Sequence, residues 1–97
     1  SDISEWEYEP IEFELLEAYP NPFNPSTKIK FSLTEPGFIT LRVYNTLGEI
    51  VRELFSGYEQ SGKHQISFDA SELSAGIYFV ILQEEKSLRS IKTVLLK

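Results

Sequence analysis

From Ala18 onward, apolar and polar residues alternate in short runs. Ile29, Phe31 and Leu33 alternate with Lys28, Lys30 and Ser32. Ile39, Leu41 and Val43 alternate with Thr40, Arg42 and Tyr44, and His64, Ile66 and Phe68 with Gln65 and Ser67. Successive side chains of a strand point to opposite faces, so a period of two predicts half-buried strands. Ile77 to Leu82 is apolar throughout, which predicts a central strand covered on both faces. Ser90 to Leu96 predicts a closing strand with Lys92 on one side. Ile50 to Phe55 reads as a strand with a bulge, because Val51 and Leu54 do not share a period-two face.

The glycines punctuate this pattern. Gly37, Gly48, Gly57, Gly62 and Gly76 stand where one run ends and the next begins. Pro36-Gly37 and Asn45-Thr46-Leu47-Gly48 carry the strongest turn chemistry. Strands therefore recur about every ten to twelve residues, the spacing of an all-β sandwich or small barrel. No segment sustains a 3.6-residue period. Ala70 to Ala75 comes nearest, as one helical turn capped by Asp69 or Ser71.

Ala18 to Thr27 breaks the alternation. This stretch holds Pro20, Pro22 and Pro25, three of the chain's five prolines. Proline fixes φ, lacks an N–H and drives the residue before it toward extended conformations, here Tyr19, Asn21 and Asn24. The stretch is neither helix nor central strand. It reads as a stiff connector, with Tyr19 and Phe23 as anchors onto a core.

Ninety-seven residues suit one domain with one modest core. The apolar content of 41% and aromatic content of 13% are those of a globular chain. No run approaches the roughly 18 apolar residues of a membrane helix. Cysteine is absent, which excludes disulfide and thiolate chemistry.

The net charge of −6 is concentrated at the front. Residues 1–17 hold seven acids and no base, leaving eight acids and nine bases in residues 18–97. The expected organisation is an acidic linker and first strand over 1–17, then the main domain over 18–97. Within the arm, Ile11, Phe13 and Leu15 alternate with Glu12 and Glu14, and Ile11 to Leu16 reads as the first strand. Residues 1–9 read as either a linker or an edge strand whose glutamates oppose edge-to-edge pairing. The chain begins Ser-Asp, as if cut from something longer. No basic stripe exists to displace phosphate counterions, so nucleic acid is excluded as a partner.

Catalytic and ligand-binding readings find little support. His64 is the sole histidine, with Ser67 and Asp69 near it in sequence. On a strand the odd separations turn His64 away from both, so no triad converges. Carboxylates spread along a strand, such as Glu12 and Glu14, do not gather around a cation such as calcium. No cofactor or metal site is expected. Trp6, Tyr8, Phe38, Tyr44, Tyr58 and Phe79 are candidates for stacking on sugars, although strand aromatics more often serve the core or cross-strand pairs. Asn24-Pro25-Ser26 is no glycosylation acceptor, because the intervening residue is proline.

Several elements stand in fixed order. Tyr19-Pro20-Asn21-Pro22-Phe23-Asn24-Pro25 comes first, and Val43 to Val51, with Gly48 in its turn, follows. Phe68-Asp69-Ala70-Ser71-Glu72-Leu73-Ser74-Ala75-Gly76-Ile77-Tyr78 comes next, and Lys92-Thr93-Val94-Leu95-Leu96-Lys97 closes the chain. In this order and spacing the chain resembles the C-terminal sorting domains of type IX secretion cargo, the Por secretion tail family, over residues 18–97. The resemblance implies an Ig-like antiparallel β-sandwich of about seven strands with no chemistry of its own. It implies an N-terminal cargo, passage through the periplasm and outer membrane by a translocon, and removal by a sortase-like peptidase. Cleavage would fall before the proline run, and the cargo would be secreted or held at the cell surface. The acidic arm has no counterpart in the family, and Glu49 stands where a basic or amide residue is frequent.

Within this reading Asp69 and Ser71 satisfy backbone N–H groups in a tight turn. Gly76 allows a close approach ahead of the next strand, and Tyr78 ties a corner with its hydroxyl. Arg89, Lys92, Val94, Leu95, Leu96 and Lys97 form the expected recognition surface, a closing strand with no tail to cover its edge and with Lys97 as the native end. An uncovered edge also predicts a weak homodimer by strand pairing. The alternative function is an accessory module of a secreted enzyme, binding carbohydrate or protein through an exposed aromatic row.

Overall fold

The computed structural model describes residues 16–97. The expected strand over Ile11 to Leu16 and the readings of residues 1–9 lie outside that range, Leu16 excepted. Seven strands follow one another: β1 (Leu16–Tyr19), β2 (Ser26–Leu33), β3 (Gly37–Tyr44), β4 (Ile50–Glu59), β5 (Gly62–Asp69), β6 (Gly76–Gln83) and β7 (Leu88–Leu95). They form an antiparallel three-stranded sheet, β1-β2-β5, and an antiparallel four-stranded sheet, β4-β3-β6-β7. The molecule is the all-β sandwich that the alternation predicts. Among the described residues there is no helix. Ala70 to Ala75 is a turn, closed by the Leu73 N–H donating to the Ala70 carbonyl at 3.0 Å.

The core follows the period of two. Ile29, Phe31 and Leu33 of β2 meet Ile39, Leu41 and Val43 of β3, with Phe68, Tyr78, Val80, Leu82 and Leu95 around them, all buried. Burying a large apolar side chain contributes about 1.5–3 kcal/mol, so this face-to-face layer is the main source of stability. β4 carries the expected irregularity. Its register against β3 shifts between Leu41 and Arg42 and again between Val43 and Tyr44. Leu54 and Val51 are the extra residues, and each turns the strand so that both stay half-buried.

Two expectations are corrected here. Gly57 does not end a run but sits inside β4, opposite Ile39. A Cβ there would lie 3.3 Å from the Phe55 ring, so the missing side chain makes room for that ring. β6 is central in its sheet, yet only one of its faces is covered. Tyr78, Val80 and Leu82 are buried, whereas Phe79 and Ile81 are half-buried and Ile77 is exposed. The continuous apolar run reflects an apolar outer surface, not a second layer over it.

Candidate functional site

The proline run and the closing strand meet. Pro20, Pro22 and Pro25 each follow a cis peptide bond. Phe23 is the buried apolar residue of this run, at 2% exposure, with its ring 5.6 Å from that of Phe68. Its main chain pairs in parallel with β7: the Phe23 N–H donates to the Val94 carbonyl at 2.9 Å, and the Leu96 N–H donates to the Phe23 carbonyl at 2.8 Å. Asn21 continues the ladder with its side chain. Its Nδ2 donates to the Lys92 carbonyl at 2.9 Å, and its Oδ1 accepts the Val94 N–H at 3.1 Å. A carboxamide offers the same donor and acceptor as a peptide unit, so Asn21 fills one rung of a strand. Elsewhere in the run the Thr27 hydroxyl donates to the Pro20 carbonyl at 2.7 Å, and the Ala70 N–H donates to the Pro25 carbonyl at 2.9 Å.

The expectation of a closing strand with no cover on its edge is therefore corrected. Lys92 to Leu96 is covered by Asn21 to Phe23, and β1 lies alongside β7, although among the described residues no strand is hydrogen-bonded to the outward groups nearer Leu88. Tyr19 is no anchor. It is 71% exposed, because β1 turns Leu16 and Ala18 inward and places Tyr19 opposite Lys28 on the outside.

The six residues expected to form the recognition surface divide into two groups. Arg89 and Leu95 are not displayed. Leu95 is 1% exposed and belongs to the core. Arg89 reaches between the sheets, its Nη2 donating to the Ser32 carbonyl at 2.8 Å and to Glu84 Oε2 at 2.7 Å. Ser87 Oγ donates to the same Glu84 oxygen at 3.1 Å, which closes the β6–β7 turn around the ion pair. Lys92, Leu96 and Lys97 are exposed and Val94 is half-buried beside them. Lys97 Nζ donates to the Ser71 carbonyl at 3.0 Å, tying the chain end to the Asp69 turn.

That turn is built as its residues suggest. Asp69 Oδ1 accepts the Ser71 N–H at 2.9 Å, and this bond holds the Asp69 carboxyl below its ordinary value, with the Ser71 side chain and Arg52 acting the same way. The Tyr78 hydroxyl donates to the Ser74 carbonyl at 2.6 Å, the corner tie that its position implies. Gly76 serves through conformation: its φ of +149° suits glycine, whereas a Cβ there would touch nothing within 4 Å. Gly48, at φ +82°, closes a turn in which Asn45 Oδ1 accepts the N–H groups of Leu47 and Glu49. Asn45 Nδ2 donates to Glu49 Oε1 at 2.7 Å, so Glu49 is engaged inside its own turn.

The hydrogen bonds of two residues went unread in the sequence. Thr93 is fully buried, and its hydroxyl donates to the Tyr78 carbonyl across the β6–β7 pair at 3.2 Å. Its place in the inward series with Ile91 and Leu95 was the available signal. Asn21 gave a weaker one, two residues before the buried Phe23.

No reacting constellation forms around His64. Its ring stacks on Phe31 at 5.3 Å, and its Nε2 donates to the Gln60 carbonyl at 2.8 Å. Ser67 and Asp69 lie on the opposite face of β5, as the odd spacing requires. Among the described residues no group of carboxylates, histidines or cysteines could hold a metal ion. Glu12, Glu14, Trp6 and Tyr8 lie outside the described residues. The other four candidate stacking aromatics share the outer face of the four-stranded sheet, as the cross-strand pairs Phe38–Tyr58 and Tyr44–Phe79.

The family model described as secretion system C-terminal sorting domain matches residues 17–97 of the chain. No curated protein matches the chain in sequence.

Proposed function

The chain belongs to the secretion system C-terminal sorting domain family, the sorting signals of type IX secretion, and from that premise we propose how its address is read. Export across the outer membrane, attachment to a cargo protein and engagement of the secretion machinery go with membership. The family is non-catalytic, and no reaction is assigned to the domain.

The translocon reads the exposed side of the closing segment, namely Lys92, Leu96 and Lys97 with Val94 beside them. Arg89 and Leu95 act from inside, by fixing β7 to the rest of the sandwich. A sortase-like peptidase then removes the domain by cutting ahead of the proline run, within residues 1–17. The observation that carries this reading is the match over 17–97 joined to the geometry of its last residues, where two lysines and a half-exposed leucine stand on a strand end held from both sides.

Deleting Val94 to Lys97 is a poor test, because it also strips Leu95 from the core and the main-chain partners of Phe23. The informative experiment is a reporter carrying residues 16–97, expressed in a host with this secretion system. The reporter should leave the cell. Lys92→Glu combined with Leu96→Asp should cut export by about tenfold, the loss of one moderate recognition contact, with an unchanged melting curve. Export of the double variant at the parental level would sink the reading.

A second reading draws on Phe38 and Tyr58, each 62% exposed on one sheet face. An accessory module would use that face to hold a sugar or protein. A strong hit in a glycan-binding screen, lost in Tyr58→Ala, would favour it.

A further inference from the structure

The turn between β3 and β4 holds its own shape. The Asn45 N–H donates to the Glu49 carbonyl and the Gly48 N–H to the Asn45 carbonyl, each at 3.0 Å. Asn45 Oδ1 accepts two further N–H groups, and Asn45 Nδ2 donates to Glu49 Oε1. Leu47 takes part through its N–H alone. Its side chain is 81% exposed, the highest value of any large apolar residue among those described. The turn closes without that side chain, so packing gives no reason for a leucine there.

The strand pairing shows what else stands at this end of the four-stranded sheet. Ile50 pairs with Tyr44, Tyr44 with Phe79 and Phe79 with Lys92, one outward row across all four strands. Ile77 opposite Val94 forms the next outward row, nearer the end. The closing segment lies at the same end, since Leu95 is opposite Gly76 and Leu96 follows it. On the other side of the row the Arg42–Glu53 ion pair divides it from Phe38 and Tyr58. Lys92 is exposed and is the only charged side chain in the two rows. Apolar residues scattered singly over a surface need no explanation. A leucine on a stiff turn, level with an apolar row that leads to the closing segment, is a different arrangement.

We propose that Leu47 and the apolar row beside it are a second contact for the secretion machinery, covered on engagement by an apolar surface of a partner protein that sets a carboxylate opposite Lys92. The proposal rests on the closing segment being the part of the domain that is read. The occupant is a protein because engagement of that machinery goes with family membership, and because the row runs into the closing segment through Lys92 and Val94. A preformed turn loses little conformational freedom when its tip enters an apolar socket, so the gain from burying Leu47 is kept.

Export of a reporter carrying the full chain, in a host with this secretion system, tests the contact. Leu47→Asp should lower export about tenfold with an unchanged melting curve, since the side chain is in solvent. Phe38→Asp also puts a charge in place of an exposed apolar residue, but at the far end of the same sheet, and should export like the parent. Parental export of Leu47→Asp would overturn the proposal, and so would equal losses from the two variants. Should Leu47→Asp melt below the parent, Leu47→Ser takes its place and the same results decide. Lys92→Glu with Leu96→Asp keeps the two readings apart. Loss of export with that pair but not with Leu47→Asp means that the closing segment is read and the turn is not. Loss with Leu47→Asp but not with the pair leaves the turn as the contact and sinks the reading of the closing segment. Sedimentation velocity and vesicle binding address the other occupants. A parent dimer that Leu47→Asp splits, or parent binding to phosphatidylcholine vesicles that Leu47→Asp abolishes, would replace the partner protein and refute the proposal.

Discussion

The two outer faces of the sandwich differ more than the two inner ones. The three-stranded sheet shows solvent Glu17 and Tyr19 from β1, Lys28 and Lys30 from β2, and Lys63, Gln65, Ser67 and Asp69 from β5. Its cross-strand neighbours are polar partners: Glu17 stands opposite Lys30, Lys30 opposite Gln65, and Lys28 opposite Ser67. The four-stranded sheet shows Ile50, Tyr44, Phe79 and Lys92 in one row across all its strands, with Ile77 and Val94 beside it. Phe38, Ile50, Tyr58, Ile77 and Leu88 are five of the exposed large hydrophobics, and all lie on this second face. They fall into separate groups, Phe38 with Tyr58 at one end of the sheet and Ile50 and Ile77 with Tyr44 and Phe79 at the other, with the Arg42–Glu53 ion pair between them. The polar sheet is built to stay in water. The four-stranded sheet instead exposes large apolar side chains to it.

The sharpest way to break this contrast compares two adjacent residues of β6. Val80 is fully buried and Phe79 is half-buried on the outer face. Val80→Asp puts a carboxylate into the core with no partner, at a cost of about 4 kcal/mol or more. That is a large share of the roughly 5–15 kcal/mol by which such domains are stable, so the variant should be unfolded at room temperature by circular dichroism. Phe79→Asp should cost about 1 kcal/mol and leave a cooperative melt. Equal damage from the two would mean that the outer face of β6 is covered after all.

This pair also marks how far the sequence could be read. The alternation in β2, β3 and β5 identified the inward residues correctly, because polar residues separate the apolar ones, as Thr40 and Arg42 do in β3. The same logic failed for Ile77 to Leu82. An apolar residue turned toward solvent and one turned toward a second layer look alike in sequence. Asp69, Ser71 and Tyr78 were legible, because each makes its bond within four residues and local spacing encodes it. Asn21 bonding to Lys92 and Val94 crosses more than seventy residues, and no local pattern records it. Arg89 and Leu95 were misassigned to the surface for a related reason. Their inward parity on β7 was visible, but Arg89 is received by β2 and the turn at Glu84, and Leu95 by the core beside Phe23.

A smaller effect sharpens the inward side of the comparison. Tyr78 is buried, and its hydroxyl reaches the Ser74 carbonyl from the core end of β6. Tyr78→Phe keeps the ring and removes one hydrogen bond, leaving that carbonyl short of its donor. The expected loss is about 1–2 kcal/mol by urea denaturation, with an unchanged slope. The contrasting substitution is Tyr19→Phe on the polar sheet, whose ring and hydroxyl are both in solvent. Its loss should lie within about 0.5 kcal/mol. A larger loss from Tyr19 than from Tyr78 would reverse the reading of which tyrosine is structural.

The smallest expected effect distinguishes the faces by pH. Asp69 ends β5 on the polar sheet and holds its turn through the Ser71 N–H, which keeps its carboxyl below the ordinary value of 3.8. A carboxyl whose folded value is depressed binds fewer protons in the folded state than in the unfolded one. Its contribution is therefore complete above about pH 4 and fades as pH falls through the lowered folded value. Denaturant titrations between pH 5 and pH 2 should show the parent losing stability over that window by more than Asp69→Asn does. The asparagine keeps an oxygen for the Ser71 N–H but has no proton to take up, so the difference between the two curves isolates this one group. The apolar sheet offers a matched control in Phe79→Leu, which changes no titrating group and should follow the parent in parallel. Curves for parent and Asp69→Asn that stay parallel through acid would mean that the turn does not depend on the charge.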